Sequence, residues 1–289
     1  MYNIAILGCE NTHANTFLNL IKEDEEFSDV RVLGAYSTDV KAAEKFSETY
    51  GVKVMKSPDE LVGEVDAVMI TARCGSKHLE FLEPYLASGV AVFVDKPITI
   101  SVDDAQKMAE LFNKYGNNFT GGSVMKYCDE IKKMKEHISN TFEKTLGGLV
   151  KAPIIKDSEY DGMYFYAPHL IEMMCQAFGR FPKSVISVKN DDCITAVFRY
   201  DSYDITAVYT EMNVSQSYYI LCIEKDNCFG TEVKIENRYF REEFYHFYKS
   251  LKKEETHEDI NDFFAPVYIL EAMNRSLKSG KEEKILWKL

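Results

Sequence analysis

No CxxC pair occurs among the seven cysteines, Cys9, Cys74, Cys128, Cys175, Cys193, Cys222 and Cys228. An odd, scattered set without that spacing argues against a disulfide framework and against a zinc site, so no metal is expected. No apolar run approaches the ~20 residues that a membrane helix needs. Met1 leads directly into a strand-like segment without the pattern of a secretory leader, which predicts a cytoplasmic protein with no membrane partner. A basic surplus is also missing. The net charge of −12 argues against nonspecific nucleic-acid binding and favours a solvated acidic surface. Repeats, low-complexity tracts and flexible linkers are absent. What remains is a chain of 289 residues, 46% hydrophobic and 28% charged. That is the balance of a globular protein, with length for one large domain or two ordinary ones.

The most informative stretch is Val90 to Ile100. Val90 to Val94 is short, uncharged and mostly β-branched, as expected of a strand buried on both faces of a parallel sheet. Asp95-Lys96-Pro97 follows at once, which puts a lysine in the crevice where open α/β sheets bind ligands. Pro97 biases Lys96 toward an extended conformation. Taken alone, Lys-Pro would only turn the chain into its next helix.

The rest of the first 120 residues alternates strand and helix. Tyr2 to Leu7 reads as a strand, followed by Gly8-Cys9-Glu10-Asn11-Thr12-His13 and a helix pattern carrying Phe17, Leu18 and Ile21. Strand, glycine turn and helix begin a dinucleotide-binding unit, but the fingerprint is defective. With Gly8 as its first glycine, Glu10 stands at the second and His13 at the third, and a carboxylate there would repel a pyrophosphate unless it points away. Val30 to Tyr36 is the second strand, and it ends in Ser37-Thr38 where an NAD site usually has an acidic residue. This leaves NAD or NADP open, with a lean to NADP, Lys41 being the only nearby cation. Asp39 is placed to cap a helix through Tyr50, and Ser57-Pro58-Asp59-Glu60 to start a short one. Ala67 to Thr71 is a buried strand leading through Thr71-Ala72 to His78, after which a helix runs on. Ser101 caps a helix reaching Tyr115, and Asn118 to Ser123 returns as a strand.

From about Lys126 the pattern changes. An amphipathic helix precedes a strand at Leu149 to Ile155 and a helix from Ala167 to Phe178. Runs at 184–189, 193–200, 205–212, 218–223 and 231–235, separated by turn signals, predict a largely antiparallel meander. Two helices, 241–253 and 258–279, close the chain before Gly280. The expected architecture is a Rossmann-like, doubly wound parallel sheet over residues 1–122. An α+β domain with a large, mostly antiparallel open sheet follows over 123–289.

The order of these pieces resembles the glucose-fructose oxidoreductase, inositol dehydrogenase and MocA (Gfo/Idh/MocA) family over nearly the whole chain. The landmarks are the Gly8 turn, Val65-Asp66-Ala67-Val68 with the loop to His78, Ala87-Ser88-Gly89-Val90, Gly121-Gly122, His169-Leu170-Ile171-Glu172 and Arg275 to Lys281. Asp95-Lys96-Pro97 stands where the family has Glu-Lys-Pro. The resemblance implies an NAD(P)-dependent dehydrogenase acting on a sugar, cyclitol or related polyol held between the two domains. It implies cofactor contacts from Gly8 to His13, Ser37, Thr38, Thr71, Ala72, His78, Asp95, Lys96 and Pro97. It implies Lys96 and His169 as catalytic residues, with Lys126 and Tyr166 or Tyr164 also reaching substrate. The chemistry suits them: oxidising a secondary alcohol needs a base for the hydroxyl proton, and an ammonium can stabilise a developing alkoxide.

The chain departs from the family four residues before His169, where an aspartate typically orients the histidine. Here that position is Phe165, and Asp161 would substitute only if its loop folded back. These departures keep a second class in view, a catalytically degenerate dinucleotide- or sugar-binding protein on the same fold. Without the resemblance, His169 reads as a histidine packing at a helix start. The alternation in the second sheet leaves one face for association, so a homodimer or homotetramer through that sheet is expected, with Val208, Tyr209 and Tyr219 as candidate contacts.

Overall fold

The structure, a computed structural model describing residues 1–288, forms two compact units. In the first, strands and helices alternate as β1 (Tyr2–Leu7), α1 (Thr12–Glu23), β2 (Val30–Tyr36), α2 (Val40–Tyr50), β3 (Lys53–Val54), β4 (Ala67–Ile70), α3 (His78–Leu86), β5 (Ala91–Asp95), α4 (Val102–Tyr115) and β6 (Phe119–Gly122). The strands lie in the order β3-β2-β1-β4-β5-β6, every pair parallel. This is the doubly wound order, with its switch point between β1 and β4. β4 and β5 are buried along their whole length, as strands covered on both faces must be.

Local signals act as the sequence predicts at two helix starts. Asp39 Oδ1 accepts from Ala42 N at 3.1 Å, and Ser101 Oγ accepts from Asp104 N at 3.2 Å. The short helix expected from Ser57 does not form. Residues 58–64 make successive turns instead, and Glu60 folds its carboxylate back onto Lys56 N at 2.5 Å. That side-chain bond competes with a helical start.

The second unit contains α5 (Asp129–Thr141), β7 (Thr145–Ile154), α6 (Pro168–Phe178), β8 (Ser184–Lys189), β9 (Cys193–Arg199), β10 (Asp204–Glu211), β11 (Tyr218–Glu224) and β12 (Cys228–Val233). The chain continues through α7 (Asn237–Leu251) and α8 (Ile260–Ser279) to β13 (Glu283–Lys284). The seven-stranded sheet runs β12-β11-β7-β10-β9-β8-β13 and is antiparallel except for β7 against β10. The expected meander is therefore interrupted, because β7 inserts between β10 and β11. Gly148 makes room for it. A Cβ there would stand 2.7 Å from the Leu221 carbonyl of β11 and 2.4 Å from the Phe178 ring of α6.

The division of the chain also differs from a single cut after residue 122. Phe240–Phe263 belongs to the first unit. The reason is aromatic packing: the Phe244 ring lies 4.7 Å from that of Phe27 and 5.9 Å from that of Phe17, and Phe247 lies 5.8 Å from Phe93. Arg241 fixes the same stretch through Asp24 at 2.7 Å. These residues are far apart in sequence, so no local pattern announces the return.

Candidate active site

The turn after β1 carries the first group of residues. Gly8 has φ +106°, and a Cβ on it would meet Ala72 N at 1.9 Å, so only glycine lets β1 end against the loop after β4. Thr71 Oγ1 donates to the Gly8 carbonyl at 3.1 Å and closes the same contact. Asn11 caps α1, its Oδ1 accepting from His13 N at 3.1 Å. No acidic residue follows in the first turn of this 12-residue helix, so its unsatisfied N–H groups favour an anion. Cys9 is buried, and burial with the neighbouring Glu10 charge pushes its thiol up to about 12, which leaves it inert.

Asp95 joins this turn to Lys96. Its carboxylate is 1% exposed. Oδ2 lies 2.7 Å from His13 Nδ1 and accepts from Asn11 Nδ2 at 3.2 Å, while Oδ1 accepts from Lys96 N at 2.7 Å. Burial would raise the Asp95 pKa, but the attraction of His13 and Lys96 and their hydrogen bonds outweigh it, and the net shift is downward. Lys96 precedes a cis peptide to Pro97 and is 4% exposed. Burial is the largest influence on its ammonium and lowers its pKa; Asp95 and Glu243 oppose that shift, and Arg73 adds to it. Lys96 is thus a desolvated amine beside a buried carboxylate, a group that in its protonated form can polarise an oxygen.

His78 is wholly buried. Its Nε2 lies 2.8 Å from the Ala72 carbonyl and its Nδ1 3.2 Å from that of Ile98, so the ring braces the loop after β4 against the one after β5. It offers no surface to a ligand. Glu10, which would repel a pyrophosphate if it faced one, turns to Ser37 Oγ and to the backbone N–H of Arg73. Thr12 and Thr38 are exposed beside these groups.

In the second unit His169 opens α6, 5% exposed, with Nδ1 2.8 Å from Ser123 Oγ. The Tyr166 ring packs edge-on at 5.4 Å, and burial raises the pKa of that phenol. Phe165 packs on Tyr160 at 5.2 Å. Asp161 lines an open concavity of about 710 Å³ with Lys156 and Tyr164. Ser123, which the sequence reading missed, is thus a hydrogen-bond partner of the His169 ring. Its only signal was a hydroxyl directly after the strand ending Gly121-Gly122. Lys126 follows it by three residues, its ammonium 5.5 Å from the Tyr127 ring. Among the described residues no three His, Cys, Asp or Glu side chains are grouped to hold a metal, and no helix is long and apolar enough to cross a membrane.

A doubly wound sheet with a glycine turn and an acid-free helix start defines the class of dinucleotide-binding folds. Comparison with known proteins agrees. Residues 2–123 match the family described as "Oxidoreductase family, NAD-binding Rossmann fold", so the first unit is similar to the Gfo/Idh/MocA oxidoreductases. An uncharacterized oxidoreductase of Streptococcus pneumoniae is 33% identical over 99 residues, 34% of this chain and 27% of that protein, so the match spans about a quarter of the curated relative's length. The structure of myo-inositol 2-dehydrogenase from Lactobacillus plantarum superposes with a TM-score of 0.84 at 15% identity, covering 99% of each chain. Scyllo-inositol dehydrogenase from Lactobacillus casei, solved with NAD(H) and scyllo-inositol, gives 0.83 at 13% identity, again over 99% of both chains. At these identities the two structures establish the fold.

Proposed function

We propose that the protein is an NAD(P)-dependent dehydrogenase acting on a secondary alcohol of a cyclitol, sugar or related polyol, as a homodimer or homotetramer. The observation that carries this reading is the link from helix start to lysine, in which Asn11 and His13 share Asp95 and Asp95 holds the Lys96 backbone. It ties the anion-binding turn to the backbone of Lys96, as positioning two bound partners for hydride transfer requires. The residues fit a dinucleotide: the Gly8 turn admits no Cβ, α1 starts without an acid, and Glu10 is tied aside. Gly8 and residues 11–13 would hold the pyrophosphate, and Thr38 and Glu10 the adenosine ribose, with Ser37 bracing Glu10. The nicotinamide would accept the hydride.

In the alcohol half of the reaction, Lys96 stabilises the oxygen as its proton leaves. His169 takes that proton at Nε2, in the tautomer whose Nδ1–H donates to Ser123 Oγ. The polyol substrate is favoured by the two inositol dehydrogenases that share the fold. A non-catalytic binding protein on the same fold is favoured by Phe165 at the aspartate position, and the Ser123 contact to His169 weighs against it. Fluorescence titration with NADH and NADPH, followed by turnover on a panel of inositols and sugars, tests the reading. Binding with turnover of at least one polyol is the expected result; binding of neither dinucleotide would refute it.

A further inference from the structure

A dinucleotide fold keeps an acidic residue at the end of β2 to accept the ribose 2′-hydroxyl, and an arginine there accommodates a 2′-phosphate. This chain has neither. Ser37 stands at that place, buried and neutral, and its hydroxyl is committed: it donates to Glu10 Oε2 at 2.7 Å and accepts from Asp39 N at 3.0 Å. The other oxygen of Glu10 accepts from Arg73 N at 2.9 Å. The Glu10 side chain starts from the turn after β1, yet its carboxylate is anchored at the end of β2 on one side and in the loop after β4 on the other. These two bonds use about half of a carboxylate's four acceptor positions, which leaves capacity for sugar hydroxyls.

The charges that act on this turn at Cys9 are acidic. Glu10 and Asp39 both act on the Cys9 thiol, next to Glu10, and both push it up. Lys41, the cation nearest in sequence, is exposed on α2. The Arg73 guanidinium acts on Lys96, at the end of β5, on the opposite side of β4 from β2.

We infer that Glu10 replaces the missing acidic residue of β2 and selects NAD over NADP in this chain. The inference rests on the dinucleotide reading above. The carboxylate accepts from the adenosine ribose hydroxyls of NAD, whereas the 2′-phosphate of NADP would bring a further anion to Glu10 and Asp39. It reverses the lean to NADP that Ser37-Thr38 suggests, because the deciding charge comes from a different turn of the chain.

The test measures affinities of NADH and NADPH by nicotinamide fluorescence, and of ADP-ribose and its 2′-phosphate by calorimetry, for the wild type and Glu10→Gln. The wild type is expected to bind NADH at least about tenfold more tightly than NADPH, and Glu10→Gln to bring that ratio down about tenfold, mostly by gaining affinity for the phosphorylated ligands. A role in merely bracing the turn would change both ligands by the same factor, because they differ only in the phosphate. An unmoved ratio, or a wild-type preference for NADPH, would overturn the inference while leaving dinucleotide binding intact. Binding of none of the four ligands would overturn it together with the cofactor reading. Thermal melts of both proteins check that the variant is folded.

Discussion

Lys96 sits among groups that pull its proton in both directions, with burial and Arg73 favouring loss and Asp95 and Glu243 retention. Its side chain makes no part of the hydrophobic core of the first unit. Lys96→Ala is therefore expected to stay folded by circular dichroism and to lose on the order of 10²-fold or more in turnover. A variant that keeps near-normal turnover would remove the lysine from the chemistry. Ser123 acts through His169. Ser123→Ala leaves a buried imidazole nitrogen without that hydroxyl, a loss of about 1–3 kcal/mol, so kcat should drop roughly tenfold with KM little changed, and Ser123→Thr should restore most of it. Equal loss of kcat in the threonine and alanine variants would argue against an orienting hydroxyl. His78 governs stability rather than chemistry. Burial lowers its folded pKa despite the carbonyls of Ala72 and Ile98, whereas an unfolded imidazole titrates near 6.5. The unfolded chain then binds the extra proton, so stability is full above about pH 6.5 and is lost as pH falls from there toward the folded value, by at most about 1.4 kcal/mol per pH unit. The depressed Asp95 has the same sign but acts only below about pH 4. Melting temperatures between pH 7.5 and 5.5 should fall in the wild type and fall less in His78→Gln. An undiminished slope in the variant would assign the effect to another group.

At the scale of elements, the legible parts were those set by short-range pattern. The β-branched runs of β4 and β5, the caps at Asp39 and Ser101 and the helix before Phe178 follow from a few neighbouring residues. Contacts made across the sequence were not legible. The insertion of β7 depends on the fit of Gly148 against Phe178 and Leu221, and the partner of His169 lies 46 residues upstream. α7 is the clearest case. Its amphipathic stripe identifies a helix that needs a core, but not which core. Phe244 and Phe247, both fully buried, pack with Phe17, Phe27 and Phe93 of the first unit. Truncating such a ring costs about 3–5 kcal/mol. Phe244→Ala is expected to lower the urea midpoint of the transition that unfolds the parallel sheet. If α7 were only a surface covering, the midpoint would stay within error.

At the scale of the molecule, the proposed assembly is expected to use the open sheet of the second unit. Ile220, Cys222, Tyr209 and Phe198 point to its buried face, where Tyr209 reaches the Ala167 carbonyl at 3.0 Å, so Tyr209 is not among the association contacts as expected from the sequence. Val208 and Tyr219 take the other face. The strand registers place Ile186, Val197, Thr206, Leu149 and Leu221 in one row across five strands, and Val188, Thr195, Val208, Lys151 and Tyr219 in the row beside it. All ten remain half-buried or exposed, and seven of the ten are apolar or aromatic. The lone cation, Lys151, is turned along the face to Ser215 and Ser217 at 2.7 Å, and burial already lowers its pKa. A contiguous apolar face of this kind marks an association surface. The expected occupant is the same face of another copy, related by a two-fold axis that would close the assembly. Light scattering at micromolar concentration is expected to give at least twice the 33.2 kDa of one chain. Val208→Lys with Leu221→Glu, which buries charges at the centre of the contact, should return it to the mass of one chain with the fold retained. A wild-type mass near 33.2 kDa would reject the assembly, and an unchanged oligomer in the double variant would place the interface on another surface.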